Sequence, residues 1–182
     1  MKQKEAEQKT VNIDSIIRVS ASQSAELVAL YQQSFPAEEQ WSAQSIAEML
    51  TSPYVWAGLA TCQEMWQEKR QEKPVGMLIG RCIAGEAEIL TLCVHPHQRR
   101  HGIARALVAW AQVTALQAGA ERLFLEVSVH NTGALALYEQ AGFVRCGVRK
   151  CYYSDGSDAY ICEKILSKSE EARTLSLKHK PL

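Results

Sequence analysis

The chain has 182 residues, 47% of them hydrophobic and 22% charged, with Lys plus Arg equal to Asp plus Glu at 20 each. That length fits one domain with a core large enough to need no disulfide or metal, and the composition excludes collagen-like, disordered and coiled-coil classes. Balanced charge gives no net field for nucleic acid, and no apolar run approaches the roughly 20 residues that span a bilayer, so neither nucleic acid nor a membrane is expected as a partner.

Residues 1–11 read as a flexible N-terminal tail and 167–182 as a flexible C-terminal tail, both rich in Lys, Glu, Gln and Ser, which leaves 12–166 as the folded domain. Ile13 to Val19 has β-branched character. Ser22 or Ser24 then caps a helix carrying Leu27, Leu30 and Tyr31 on one face, and Ser42 caps a second with Ile46, Met49 and Leu50. Strand-like runs at 55–61, 75–83 and 87–94 suggest an antiparallel meander, with the polar insert 63–73 as a long exposed hairpin loop. Pro96 stops the third run. An amphipathic helix follows, with a stripe of Ile103, Ala106, Leu107, Trp110, Ala111, Thr114 and Ala118, and Gly119 ends it. Leu123 to Val127 is apolar enough for an interior strand covered on both faces. A short helix from 132 to 141 ends at Gly142, and strands at 143–152 and 158–166 are joined by the turn Ser154-Asp155-Gly156. The order is βααβββαβαββ, an α+β pattern.

The opening Met1-Lys2-Gln3-Lys4-Glu5 lacks a signal peptide's apolar stretch, and the six cysteines form no C-x-x-C pair. Reduced thiols, a cytoplasmic location and no metal are the resulting expectations. Cys93, in an apolar strand, reads as packing rather than as a nucleophile.

The first chemical feature is the loop Arg99-Arg100-His101-Gly102-Ile103-Ala104, between the strand ended by Pro96 and the striped helix. Helix N-termini attract phosphates through unpaired N–H groups and the positive end of the macrodipole. Gly102 and the small Ala104 leave room for a close ligand, and Arg99, Arg100 and Arg105 add positive charge. The pattern is neither a P-loop nor a G-x-G-x-x-G turn.

Strand, His95-Pro96, R-x-x-G-x-A and amphipathic helix in that order resemble the signature of the GNAT superfamily of acetyl-CoA-dependent N-acetyltransferases. The resemblance implies the acyl-CoA N-acyltransferase fold, with a central mixed, mostly antiparallel sheet flanked by helices. It also implies acetyl-CoA as co-substrate, with Leu92, Cys93 and Val94 pairing the pantetheine arm and Arg100 to Arg105 holding the pyrophosphate. His101 stands where Gly or Arg is frequent in the family, and Ala104 replaces the more usual second Gly.

Leu125-Glu126-Val127, Asn131, Ala134-Leu135-Ala136-Leu137-Tyr138-Glu139 and Gly142-Phe143 together resemble the RimI-type ribosomal-protein-alanine acetyltransferases. That resemblance implies Glu126 as general base, Tyr138 as general acid and Asn131 as a coenzyme A contact. Arg149-Lys150-Cys151-Tyr152-Tyr153 is similar to the paired-tyrosine hairpin of protein N-terminal acetyltransferases, and Trp41-Ser42 to the bacterial subfamily's entry into the second helix. Trp41, Tyr152 and Tyr153 are thereby expected at the acceptor groove. The implied partner is the N-terminal amine, with Ala first, of a small-subunit ribosomal protein.

The acceptor's chemistry agrees. An α-amine titrates near ~7.7–8.0 and is partly neutral at pH 7, whereas Lys, near ~10.4, is almost wholly charged. Two other readings remain: an enzyme of the same fold acting on small amines or lysine, and a non-catalytic acyl-CoA-binding module.

Overall fold

The computed structural model describes residues 15–37, 40–66 and 69–167; apart from Ser167, both expected tails fall outside them. Seven strands form one sheet in the order β1-β2-β3-β4-β5-β7-β6, where β1 is Ser15–Arg18, β2 Val55–Trp66, β3 Lys69–Ile83, β4 Glu86–Val94, β5 Arg122–Ser128, β6 Val144–Arg149 and β7 Ala159–Ile165. The helices are α1 Ser24–Ser34, α2 Ala43–Met49, α3 Ile103–Gln117 and α4 Thr132–Gln140. The element order matches the one expected. Among the described residues only β4 and β5 pair in parallel, and α3 supplies the crossover that such a pair requires.

Each face of the sheet has its own core. On one, α3 and α4 cover Trp56, Leu78, Ile89, Val94, Leu123, Leu125 and Val127. On the other, α1 and α2 cover Ala57, Leu59, Met77, Ile79 and Cys93. A strand with both alternating sets buried needs apolar residues throughout, as β2 and β3 have between 55 and 60 and between 75 and 79. In β5 the alternation is real: Leu123, Leu125 and Val127 are buried, whereas Phe124, Glu126 and Ser128 are only half-buried. The expectation of an interior strand covered on both faces therefore holds for one face only, because α1 and α2 stop short of β5.

The helix termini follow local chemistry. Ser42 Oγ accepts from Ser45 N at 3.0 Å and caps α2. At the other end of α3, Gly119 takes φ 83° and donates to Leu116 O, while Ala120 N donates to Ala115 O. Gly142 and Phe143 repeat this arrangement after α4 with Glu139 O and Tyr138 O, so both helices end in a Schellman motif.

Three expectations need correction. Ser20, not Ser22 or Ser24, opens the first helical stretch, capping a short 3-10 turn over Ala21–Gln23 that leads into α1. The buried stripe of α3 is Ile103, Leu107, Val108, Ala111, Thr114 and Ala115; Ala118 is exposed because it already lies in the cap. The segment 63–73 is not a loop: β2 and β3 stay paired from Cys62↔Lys73 out to Trp66↔Lys69. No glycine or proline lies between Cys62 and Lys73 to interrupt the ladder, and Pro74 sits where the register shifts, a position that spares it a ladder hydrogen bond.

The start of α3 is held by one close approach. Gly76 of β3 faces Ile103 and Leu107, both fully buried, and a Cβ there would lie 2.7 Å from Ile103 Cγ2 and 3.0 Å from Leu107 Cδ1. Burial of two such side chains contributes on the order of 1.5–3 kcal/mol each, and it seats the helix N-terminus against the sheet. Gly76→Ala is expected to lower unfolding free energy by about 1–3 kcal/mol through overpacking, read as a lower urea midpoint at unchanged slope.

Candidate active site

The site begins with a fault in β4. Gly80 pairs with Ile89 and Ile79 with Thr91, so Leu90 is an extra residue, a β-bulge. The bulge reverses which side chains face which core: Ala87 and Ile89 before it, and Leu92 and Val94 after it, all face α3. Bulges also bend the strand that carries them. Pairing of β4 with β5 accordingly stops at Ile89↔Leu125, the last step before Leu90. Beyond it, β4 continues alone against β3 through Leu92, Cys93 and Val94, and β5 alone against β7 through Glu126, Val127 and Ser128. The two parallel strands splay into a wedge whose inner edges carry backbone without sheet partners.

The loop after β4 lies beyond Val94, at the open end of the wedge. Arg100 takes φ 70° and Gly102 φ 80°, two left-handed residues in one tight bend. For Arg100 this conformation costs about 1–2 kcal/mol, a strain the loop retains. Arg99 Nε donates to Val94 O at 3.3 Å, and the His101 ring Nδ1 lies 3.2 Å from Gln98 O, so both side chains tie the loop to its own base. This is a structural use for His101, the position unusual for the family. Gly102 is the N-cap of α3, has no side chain to cap it, and a Cβ there would meet nothing within 4 Å. The first-turn amides of Ile103, Ala104 and Arg105 therefore lie behind open space, with Arg99, Arg100 and Arg105 exposed around them.

At the apex, one residue past the last pair with β4, Glu126 stands on the half-buried face of β5. Its side chain is 15% exposed and its Oε1 lies 2.7 Å from Arg149 Nε at the end of β6. Burial, then the neighbouring Glu126 carboxylate, pushes the Tyr152 phenol up to about 12. The Arg149 guanidinium lies 5.6 Å from the centre of the Tyr152 ring. Tyr152 and Tyr153 meet edge-to-face at 5.1 Å.

The turn that presents these tyrosines is built by polar contacts. Gly156 N donates to Tyr153 O, Tyr153 N to Ser157 O, and Asp155 Oδ1 accepts from Ser157 N at 2.8 Å. Asp158 takes Cys151 N–H at 3.0 Å on one oxygen and Lys150 Nζ at 2.6 Å on the other. Those donors hold the Asp158 carboxyl below its usual range. Cys151, at φ 50°, makes the sharp exit from β6 that this clamp fixes.

Tyr138 comes from α4 and packs, almost fully buried, in the cluster with Leu125 and Val127, its ring 5.7 Å from that of Phe143. It lies on the face of β5 opposite Glu126. Burial, then Tyr153 and Cys162, pushes the Tyr138 phenol well above its ordinary value. Asn131 caps α4, its Oδ1 accepting from Ala134 N at 3.1 Å, which leaves its amide NH2 group for a second partner. Cys93 turns its thiol into the α1 core beside Ser34, and burial raises it to about 11, as a packing cysteine requires. Trp41 stacks on Tyr31 at 5.7 Å, half-buried beside α1. Arg149 and Asp158 were not among the expected site residues; only their spacing around Tyr152-Tyr153 pointed to them.

Known proteins share this architecture. The family model for the acetyltransferase (GNAT) family matches residues 24–143. The chain belongs to the GNAT acetyltransferase family. An N-alpha-acetyltransferase of Saccharolobus solfataricus is 37% identical over 83 residues, covering 44% of this chain and 49% of that protein. The [ribosomal protein bS18]-alanine N-acetyltransferase of Escherichia coli K12 is 32% identical over 98 residues, covering 53% and 66%. The chain thus spans about half to two thirds of the length of these curated relatives. The crystal structure of the ribosomal-protein-S18-alanine N-acetyltransferase from Escherichia coli superposes with a TM-score of 0.72 at 24% identity, over 84% of this chain and 94% of that one. In this GNAT chain no described helix is long and apolar enough to cross a membrane, and no described group of three or more His, Cys, Asp or Glu forms a metal site.

The raised Tyr138 phenol has a stability consequence. The unfolded state ionises near the ordinary value of 10 while the folded state keeps its proton, so this contribution is complete below about 10 and is lost as pH rises. Urea unfolding between about pH 9 and 11 is expected to show a stability loss that Tyr138→Phe reduces.

Proposed function

We propose that this GNAT chain is a protein N-alpha-acetyltransferase that moves acetyl from acetyl-CoA to the α-amine of a protein beginning with Ala, a small-subunit ribosomal protein. One observation carries the reading: a single partly buried carboxylate, Glu126, stands at the splay of β4 and β5 beside a turn that presents two tyrosines. The relatives named for acetylation of protein α-amines, one archaeal and one bacterial, support the acceptor class.

The residues fit acetyl-CoA as co-substrate. Its pyrophosphate suits the open amides behind Gly102 with Arg99, Arg100 and Arg105 around them, and its arm suits the unpaired edge of Leu92, Cys93 and Val94. The thioester supplies the electrophilic carbonyl. Asn131 adds a donor at the mouth of α4. Because β5 has no β4 neighbour beyond Leu125, an arm entering the gap meets side chains from both faces of β5, which brings Glu126 and Tyr138 to one reaction despite their opposite orientations.

Glu126 then takes the proton of the attacking amine, and the buried Tyr138 keeps the proton that the departing sulfur receives. Trp41, Tyr152 and Tyr153 frame the acceptor's first residues. An α-amine suits this arrangement because part of it is already neutral at pH 7, so a single carboxylate suffices as base.

Acetylation of Ala-starting peptides, followed by thiol release and mass spectrometry, tests the reading. Glu126→Gln and Tyr138→Phe are each expected to lower kcat by about 10²–10⁴-fold with acetyl-CoA affinity retained. Unchanged turnover in both variants overturns the assigned roles. Acetylation of small amines with none of the peptides moves the acceptor to that class instead.

A further inference from the structure

Arg149 occupies the position that the acceptor must take. Its Nε sits 2.7 Å from Glu126 Oε1, and the Tyr152 ring lies beside the Arg149 guanidinium. The pairing already places a cation against Glu126, where an incoming ammonium would place its own. We propose that Arg149 is an internal mimic of the acceptor's ammonium group, an exchangeable latch that the cationic N-terminus displaces from Glu126. This rests on the reading of Glu126 as the base and concerns how that base selects its substrate.

The two partners differ in a way that suits exchange. Glu126 is fixed in the sheet by its pairing with Ile161 of β7, its side chain 15% exposed, so an uncompensated charge there is costly. Arg149 ends the edge strand β6, its side chain is 58% exposed, and the contact uses a single nitrogen rather than a two-pronged fork. Releasing a guanidinium into water costs little, since exposed ion pairs are weak. Its freed position lies over the Tyr152 ring, which already faces it at 5.6 Å. An ammonium entering as Arg149 leaves keeps the charge at Glu126 balanced throughout. A neutral ligand, such as the acetylated product, offers no cation to replace it, so the latch closes again and favours product departure. Arg149 is in this sense a specificity-determining residue that acts through Glu126 and selects primary ammonium groups.

The sign of one measurement decides between competition and assistance. Steady-state constants are compared for wild type, Arg149→Met and Arg149→Lys, using an Ala-starting peptide and, separately, a small primary amine, each at saturating acetyl-CoA. The latch predicts that Arg149→Met lowers acceptor KM by about two- to fivefold, the range that an exposed ion pair supports, with a smaller change in kcat and an unaltered melting temperature. Arg149→Lys, which restores a cation beside Glu126, is expected to bring KM back towards wild type. A KM that rises or stays constant in Arg149→Met overturns the latch, because a residue that assists binding or only packs has one of those effects. Turnover of the small amine without the peptide overturns the peptide reading, while the KM comparison on that amine still decides the latch. No turnover of either acceptor overturns both.

Discussion

Everything at the site depends on the place where β4 stops pairing with β5. Parallel neighbours in a closed sheet would bury their backbone groups against each other and leave no access for a ligand. The extra residue Leu90 ends that pairing after Ile89↔Leu125, bends β4 away and re-aims Leu92 and Val94 into the α3 core. The wedge that results is open because the strands on its two sides are each held from behind, β4 by β3 and β5 by β7. A bulge is cheap here since only one ladder step is lost, and the apolar side chains on both sides of it stay buried.

Around that wedge the chain divides labour between rigid and adaptable parts. Gly76 lets α3 sit close against β3, so the first-turn amides are fixed by packing and not by a side-chain cap, which Gly102 cannot supply. The opposite side is made of polar contacts on an edge strand and its turn: Arg149 on Glu126, and Asp158 clamping Lys150 and the Cys151 amide. Such contacts are individually weak and exposed, whereas the helix seat is dry. The difference sets a rigid, dry helix start beside an exposed, more easily exchanged ion pair.

The element order and most caps were legible in the sequence because they rest on local signals. Ser42 before a helical pattern, Gly119 and Gly142 after one, and Asp155-Gly156 between two strands each specify their own conformation within a few residues. The loop from Arg99 to Ala104 was visible for the same reason. The misread segments are those where local composition competes with pairing: 63–73 has the polarity of a loop, yet the ladder runs on through it because a hydrogen-bonded pair of strands requires no apolar face. The first helix cap fell on Ser20 for a related reason, since three serines within five residues, Ser20, Ser22 and Ser24, offer equivalent local choices.

What the sequence by itself determined is the set of groups available: a glycine helix start with arginines beside it, one carboxylate in an apolar strand, a tyrosine on a helix face and a tyrosine pair at a turn. Only the tertiary structure decided how they meet. Alternation along β5 sends Glu126 to the face opposite Leu125 and Val127, and with them Tyr138, a relation that no spacing between residues 126 and 138 reveals. Strand order decides that β7 separates β5 from β6, so Arg149 reaches Glu126 across an intervening strand rather than through sequence proximity. Ion pairs of that kind are set by sheet register, and register is a property of the assembled sheet, not of any one strand.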